Sequence, residues 1–136
     1  MEYEGFRFEK LVRDKVVAQT SAEGCRPHWR TLSPEELLAA LLNKLGEESD
    51  EVREAVNTPT ELCKELADLM EVIYSIGELR GLSPAAIEEA RQTKLARKGG
   101  FIGGTYIEQM DIPTDHFEVK NFLAQPEKYG HIGRIA

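Results

Sequence analysis

The chain has 136 residues, of which 41% are hydrophobic and 30% charged, and its formal net charge is −7. This length and composition predict one ordinary folded domain with a modest core and exclude a disordered chain. The negative charge speaks against binding to a nucleic-acid polymer, which requires clustered Lys and Arg.

The amino-terminal segment and the apolar runs predict a cytoplasmic protein without contact to a membrane. The chain starts with charged residues and lacks the apolar stretch of a signal peptide. No apolar run approaches the roughly 20 residues that a membrane span needs. Cys25 and Cys63 alone make a poor disulfide framework, so we expect both to be reduced thiols.

The first predicted helix covers residues 8–21. Apolar residues recur in this stretch at helical spacing, and Gly24 offers a stop after it. The recurring positions are Phe8, Leu11, Val12 and Val16.

Three further helices have recognisable starts, each with a hydroxyl residue followed by proline. Ser33-Pro34 opens a capping box with Glu36, Thr58-Pro59 repeats that chemistry, and Ser83-Pro84 is a weaker version. These signals predict helices over residues 34–56, 59–80 and 84–97. Because the connections are short, we expect an all-α, antiparallel bundle of about four helices.

The pattern changes after Gly99-Gly100. Residues 101–102 and 105–107 are predicted to form short extended pieces, with glycines between them. The stretch from Asp111 to Ala136 has no clear period. We therefore predict a helical domain over residues 1–110 and a C-terminal extension over residues 111–136.

The second predicted helix carries an acid within its apolar face. At 100° per residue, Glu48 falls inside a core-facing stripe, between Leu45 and Val52. Glu51 is one turn further on, at the margin of the stripe, and Glu47 lies further round. The other members of the stripe are Leu37, Leu41 and Ala55.

The third predicted helix shows the same anomaly. Glu65 lies among apolar residues, and Asp68 sits on the adjoining edge at i+3. Lys64, Glu71 and Glu78 cluster on the opposite, polar side. The apolar face is formed by Leu62, Leu66, Leu69, Val72, Ile73 and Ile76.

Acids on two neighbouring apolar faces predict a metal site. A buried, unpaired carboxylate costs several kcal/mol or takes up a proton. A shared divalent cation removes this conflict, because carboxylate oxygens suit Mg²⁺ or Mn²⁺ and i, i+3 spacing directs two of them to one place. The expected ligands are Glu48, Glu51, Glu65 and Asp68. An alternative with equal support from spacing is a network in which these acids pair with Arg or Lys of the first or fourth helix.

These acids resemble the motif of the all-α, MazG-like nucleoside triphosphate pyrophosphohydrolases, which is EExxE followed by ExxD. The chain has Glu47-Glu48-Ser49-Asp50-Glu51 and then Glu65-Leu66-Ala67-Asp68. The stretches KLVRDKV (residues 10–16) and KGGF (residues 98–101) resemble a phosphoribosyl-ATP pyrophosphatase-like subgroup. The resemblance covers residues 8–107 and leaves the tail unmatched.

The resemblance implies Mg²⁺-dependent cleavage between the α and β phosphates, which gives a nucleoside monophosphate and pyrophosphate. It implies metal ligation by Glu48, Glu51, Glu65 and Asp68, with Glu47 as a further ligand or as the base that orients water. It also implies a homodimer or homotetramer. Positive side chains should hold the triphosphate, and the candidates are Lys10, Arg13, Lys15, Lys94, Arg97 and Lys98.

Four functions remain open from the sequence. The first is house-cleaning hydrolysis of non-standard or surplus nucleotides, which the long tail and the KLVRDK block favour. The second is hydrolysis of phosphoribosyl-ATP in histidine synthesis. The third is a non-enzymatic helical module in which the acids hold a structural ion or salt bridges. The fourth is a regulatory protein that binds a nucleotide without cleaving it.

Overall fold

The computed structural model describes all 136 residues and contains five helices and no strand. The predicted all-α class is confirmed. No helix is both long enough and apolar enough to cross a membrane. The helices are α1 (Val16–Ala22), α2 (Pro34–Ala55), α3 (Pro59–Leu79), α4 (Pro84–Lys98) and α5 (Val119–Leu123).

The first helix is shorter than predicted, because α1 begins at Val16 and residues 8–15 are not helical. The predicted start was therefore wrong. Glu9 has a φ of 47°, a left-handed conformation that interrupts a right-handed helix. Leu11 is the one residue in this stretch that is not exposed, so an apolar stripe here has little to pack against, and a short helix is marginal without such packing.

The two long helices begin at the predicted prolines, but their caps differ. The hydroxyl of Ser33 accepts a hydrogen bond from the backbone N–H of Glu36, whose carboxylate in turn accepts one from the Ser33 backbone N–H. This reciprocal capping box satisfies two backbone donors that the helix leaves free. Thr58 makes no such side-chain bond, so the predicted repeat of the capping chemistry was wrong for α3.

The hairpin of α2 and α3 forms the packed part of the first compact unit, Met1–Arg97. The predicted stripe of α2 faces α3, with Leu41 buried at 5% exposure, and Val72 of α3 is buried at 6%. Glu48 is the buried charged residue, at 7%. The backbones of α1 and α4 do not pack against another helix, so the acids are carried by the backbone of this hairpin.

The apolar face of α3 is only partly covered within the chain. Leu66, Met70 and Ile73 recur at i, i+4 and i+7 and stay 44%, 49% and 38% exposed. This spacing puts them on one side of the helix. We refer to these three residues as the exposed α3 stripe. The predicted face included Leu66 and Ile73, but it is wider than a single neighbouring helix can cover.

A tight turn joins α3 to α4. Gly77 is buried, and its carbonyl accepts hydrogen bonds from the backbone N–H groups of Arg80 and Leu82. Gly81 has a φ of 74°, a conformation that glycine adopts without steric cost. A side chain at Gly77 would meet Ile87 and the Leu82 carbonyl, so the turn depends on this glycine.

The second compact unit, Lys98–Ala136, holds the short helix α5. The rings of Phe122 and Tyr129 meet edge to face at 4.6 Å between centroids. The predicted extended pieces at residues 101–102 and 105–107 form no strand, because no other strand is present to pair with them, and their exposed backbone groups can bond to water instead. The sequence prediction did not include α5, since five residues are too few to show a helical period.

Candidate metal centre

Glu48 is held in the hairpin by its own helix. It lies on the core-facing stripe of α2, and its side chain is only 10% exposed. Its Oε1 is 3.4 Å from the Nζ of Lys44, one turn earlier on α2. The helical period therefore forces a carboxylate into the α2–α3 contact, as the sequence predicted.

Two residues of α3 bring further carboxylates to the same place. One oxygen each from Glu48, Glu65 and Asp68 lies within 4.8 Å of the other two. Glu65 and Asp68 are half-buried, and their i, i+3 spacing gives them one direction on α3. We refer to Glu48, Glu65 and Asp68 as the acid cluster.

Two oxygens of the acid cluster are buried and have no hydrogen-bond partner, namely Oε2 of Glu48 and Oε2 of Glu65. Burial raises the pKa of Glu48 above its ordinary value of 4.5, the nearby Glu51 carboxyl raises it further, and Lys44 lowers it. Buried polar atoms without a partner are rare in native proteins and call for an explanation such as an ion or a bound proton. The two unpartnered oxygens of the acid cluster are therefore a candidate site for an ion or a bound proton.

The acid cluster fits a small divalent cation. Mg²⁺ binds oxygen at about 2.0–2.1 Å, so opposite ligands stand about 4.2 Å apart. The oxygens of the acid cluster lie within 4.8 Å of one another; because at most one pair among three octahedral ligands is opposite, the other pairs have to approach to about 3 Å when an ion binds. Its ligands are all carboxylate oxygens, which suit Mg²⁺ or Mn²⁺ rather than metals that prefer sulfur or nitrogen.

The remaining predicted acids lie outside the acid cluster. Glu51 is exposed, and its carboxyl group raises the pKa of Glu48. Glu47 is exposed and is not among the grouped ligand atoms. An open acidic groove continues from the acid cluster toward the turn of the hairpin; its lining is Glu51, Glu54, Ala55, Thr58, Glu61 and Glu65.

Two positively charged side chains contact the acid cluster. Such contacts are part of what the ion-pair alternative predicts. The Nη2 of Arg13 lies 2.7 Å from Oδ1 of Asp68, and Lys44 contacts Glu48. Neither cation reaches the two unpartnered oxygens. Ion pairs therefore account for Oδ1 of Asp68 and Oε1 of Glu48. They leave the buried Oε2 atoms of Glu48 and Glu65 unexplained.

Arg13 is the one predicted phosphate-binding residue that contacts the acid cluster. The others are exposed and form no ion pair; they are Lys10, Lys15, Lys94, Arg97 and Lys98.

Arg91, also on α4, is held by Glu88 through two hydrogen bonds of 2.8 and 2.7 Å. This guanidinium, followed by Gln92, lowers the pKa of Glu88 to about 2.

Lys44 was not among the predicted residues. It is half-buried, with its side chain 26% exposed, and lies one helical turn before Glu48. The sequence did contain a signal, because a Lys at i−4 from an acid is within reach of it on a helix. The prediction weighed cations of other helices only and so missed a partner on α2 itself.

A protein-family model matches the part of the sequence that carries this geometry. The family model described as phosphoribosyl-ATP pyrophosphohydrolase matches residues 15–94, which is more than half of the chain. The matched range includes the whole α2–α3 hairpin and the acid cluster. Comparisons with curated proteins and with solved structures give no match.

Proposed function

Because the chain belongs to the phosphoribosyl-ATP pyrophosphohydrolase family, we propose that it cleaves a nucleoside triphosphate to the monophosphate and pyrophosphate with the help of Mg²⁺. Family membership makes the chain a hydrolase of acid anhydrides that acts on a nucleotide. The Mg²⁺ ion, which Mn²⁺ could replace, and the triphosphate are the parts that we propose.

The acid cluster is the observation that carries this proposal. Glu48 and Glu65 each keep a buried oxygen without a partner, and Asp68 brings a third carboxylate within 4.8 Å. Three carboxylates at this distance repel one another unless a cation or protons lie between them. A nucleotide bound together with Mg²⁺ supplies that cation.

We propose that the acids of the site bind the metal and activate the attacking water. Glu48, Glu65 and Asp68 bind the metal, and Glu51 joins them from the adjacent turn. When bound, a divalent cation offsets charge on the phosphate oxygens. Water adds to phosphorus while the bridging P–O bond of the α–β anhydride breaks, pyrophosphate leaves, and a carboxylate takes the proton of the water. Glu47 is our candidate for that carboxylate, with Glu48 as the other.

The triphosphate needs positive charge near the acid cluster. Lys10 and Lys15 lie in the same segment as Arg13, which contacts Asp68. We propose these two lysines as phosphate ligands because the ion pair of Arg13 keeps their segment at the acid cluster. Lys94, Arg97 and Lys98 remain predicted phosphate ligands that lie on α4.

Two substrate classes are in competition. Removal of non-standard or surplus nucleoside triphosphates is our first proposal, on the strength of the KLVRDK block and the long tail. Phosphoribosyl-ATP is the second, and the description of the matched family favours it. Both substrates present an α–β anhydride to the same carboxylates, so the acid cluster itself does not distinguish them.

The decisive experiment measures products. Purified protein with Mg²⁺ is offered a panel of canonical and modified nucleoside triphosphates and phosphoribosyl-ATP, and pyrophosphate and monophosphates are quantified. We expect pyrophosphate together with the monophosphate, and no diphosphate. Orthophosphate with a nucleoside diphosphate, or no product from any substrate, contradicts the proposal.

Matched variants separate a catalytic from a structural role of the acid cluster. Glu48→Gln should reduce kcat by at least about 100-fold, on the scale of losing an essential electrostatic group, while the helical content is unchanged. Glu71→Gln removes an exposed carboxylate from α3 and should leave kcat unchanged. A non-enzymatic module would instead show no turnover in the wild type.

A further inference from the structure

The polar contact between Arg13 and Asp68 joins the segment before α1 to α3. Arg13 lies in the non-helical segment before α1, and Asp68 is 55 residues away on α3. Leu11 is the one residue among the first fifteen that is not exposed, so little apolar packing holds this segment. Its other polar anchor is the guanidinium of Arg26, 3.7 Å from the centre of the Tyr3 ring.

Packing constrains the side chain of Asp68 less than that of Glu48. Its side chain is 42% exposed, whereas that of Glu48 is 10% exposed. A half-buried carboxylate on a helix edge can exchange between rotamers, and ordering it on a metal costs conformational entropy. Arg13 donates a 2.7 Å hydrogen bond to Oδ1 of Asp68, which holds one oxygen and leaves the other for a second ligand.

From this contact we infer that Arg13 is a positioning residue for the metal site: it holds Oδ1 of Asp68 so that this carboxylate is ordered before the cation arrives. The inference rests on the proposed function, because it requires the acid cluster to bind a cation. It assigns Arg13 a task different from the phosphate contact expected from the sequence. Residues that orient metal ligands through hydrogen bonds typically change metal affinity by about 10- to 100-fold in buried sites.

Two effects of Arg13 oppose each other, and their sizes decide the expected result. Its positive charge repels a cation, but the guanidinium is 61% exposed, and water and salt screen its charge. Its hydrogen bond orders a ligand that would otherwise turn to solvent. We expect the ordering effect to be larger, but smaller than in a buried site, so that Arg13→Ala raises the Kd for Mn²⁺ by about 3- to 10-fold.

The test measures Mn²⁺ binding to the full chain without nucleotide, by electron paramagnetic resonance of free Mn²⁺. Arg13→Lys should stay within about twofold of the wild type, because the observed contact uses a single nitrogen that a lysine can replace. Arg7→Ala is the matched control, since it removes another exposed arginine of the same segment, one that pairs only with Glu9 at 3.8 Å. Its Kd should equal that of the wild type.

A double-mutant cycle shows whether Arg13 acts through Asp68. In the Asp68→Asn background, Arg13→Ala should leave the Kd for Mn²⁺ unchanged, because the carboxylate that Arg13 orders is gone. An equal loss in both backgrounds overturns the inference, as does an unchanged or lower Kd in Arg13→Ala alone. A lower Kd would show that Arg13 competes with the cation.

The same measurements separate this inference from the proposed function. Wild-type protein that binds no Mn²⁺, or a Glu48→Gln variant that binds it unchanged, overturns the metal site and the role of Arg13 together. If Glu48→Gln loses binding and Arg13→Ala does not, the metal site stands and only the role of Arg13 fails.

Discussion

Glu48 is the residue at which folding and function make opposite demands. It is 7% exposed, and one of its oxygens has no partner. The helical period of α2 places it opposite α3, where a leucine would stabilise the hairpin by burying apolar surface. A carboxylate at this position destabilises the metal-free protein, and its retention is understandable if the site binds a cation.

The raised pKa of Glu48 predicts a specific pH dependence of stability. Because the folded-state pKa is raised above 4.5, protonated Glu48 favours the fold at low pH, and this contribution is lost as the pH rises through the folded-state pKa. In EDTA, Glu48→Gln should therefore be more stable than the wild type at pH 7, by on the order of 1 kcal/mol, and equal to it at pH 4. Thermal unfolding of both proteins across this range measures the difference.

The effect of Mg²⁺ on the Tm and a control variant provide further tests of the role of Glu48. Excess Mg²⁺ should raise the Tm of the wild type but not that of Glu48→Gln, because only the former binds the ion in its folded state. Glu71→Gln should follow the wild type at every pH. A stability gap between wild type and Glu48→Gln that does not depend on pH would contradict the assignment of a buried, titrating carboxylate.

At the scale of elements, the α2–α3 hairpin supports the site, and two of its glycines differ in how closely other atoms surround them. Gly46 lies within α2, and a side chain there would meet nothing within 4 Å. Gly77 ends the packed part of α3, and a Cβ there would lie 2.9 Å from Cδ1 of Ile87 and 3.2 Å from the Leu82 carbonyl. One glycine is thus replaceable by alanine and the other is required by close packing.

These two glycines give a paired prediction. Gly46→Ala should stabilise the protein by about 0.5–1 kcal/mol, because alanine loses less backbone entropy in a helix. Gly77→Ala should destabilise it by about 1–2 kcal/mol, because overpacking against the Leu82 carbonyl exceeds that gain. Urea unfolding monitored by circular dichroism measures both. Equal effects of the two substitutions would show that the α3–α4 turn is looser than described.

At the scale of the whole molecule, the exposed α3 stripe is an apolar surface that the hairpin does not cover. Only Leu41 and Val72 are buried hydrophobic residues. We propose that a second copy covers the exposed α3 stripe, because obligate dimers bury 2,000–5,000 Å² or more in total.

This proposal predicts a dimer or tetramer in solution. Sedimentation equilibrium of the wild type should give a multiple of 15.3 kDa at micromolar concentration. Met70→Glu places a charge in the middle of the exposed α3 stripe and should weaken self-association by at least about 10-fold, since an unpaired buried charge costs several kcal/mol. Lys64→Glu adds negative charge to α3 outside the stripe and should not change the mass. A monomeric wild type rules out the proposal.

The sequence by itself determined what depends on near neighbours in the chain. The prolines at 34, 59 and 84 fixed the starts of three helices, and the helical period placed Glu48 and Glu65 on apolar faces, since both signals act within a few residues. The tertiary structure decided what depends on distant partners: the contact of Arg13 with Asp68, the two carboxylate oxygens without a partner, and the loss of helix before Val16. A periodic pattern states which face a residue occupies, whereas only packing determines whether anything covers that face.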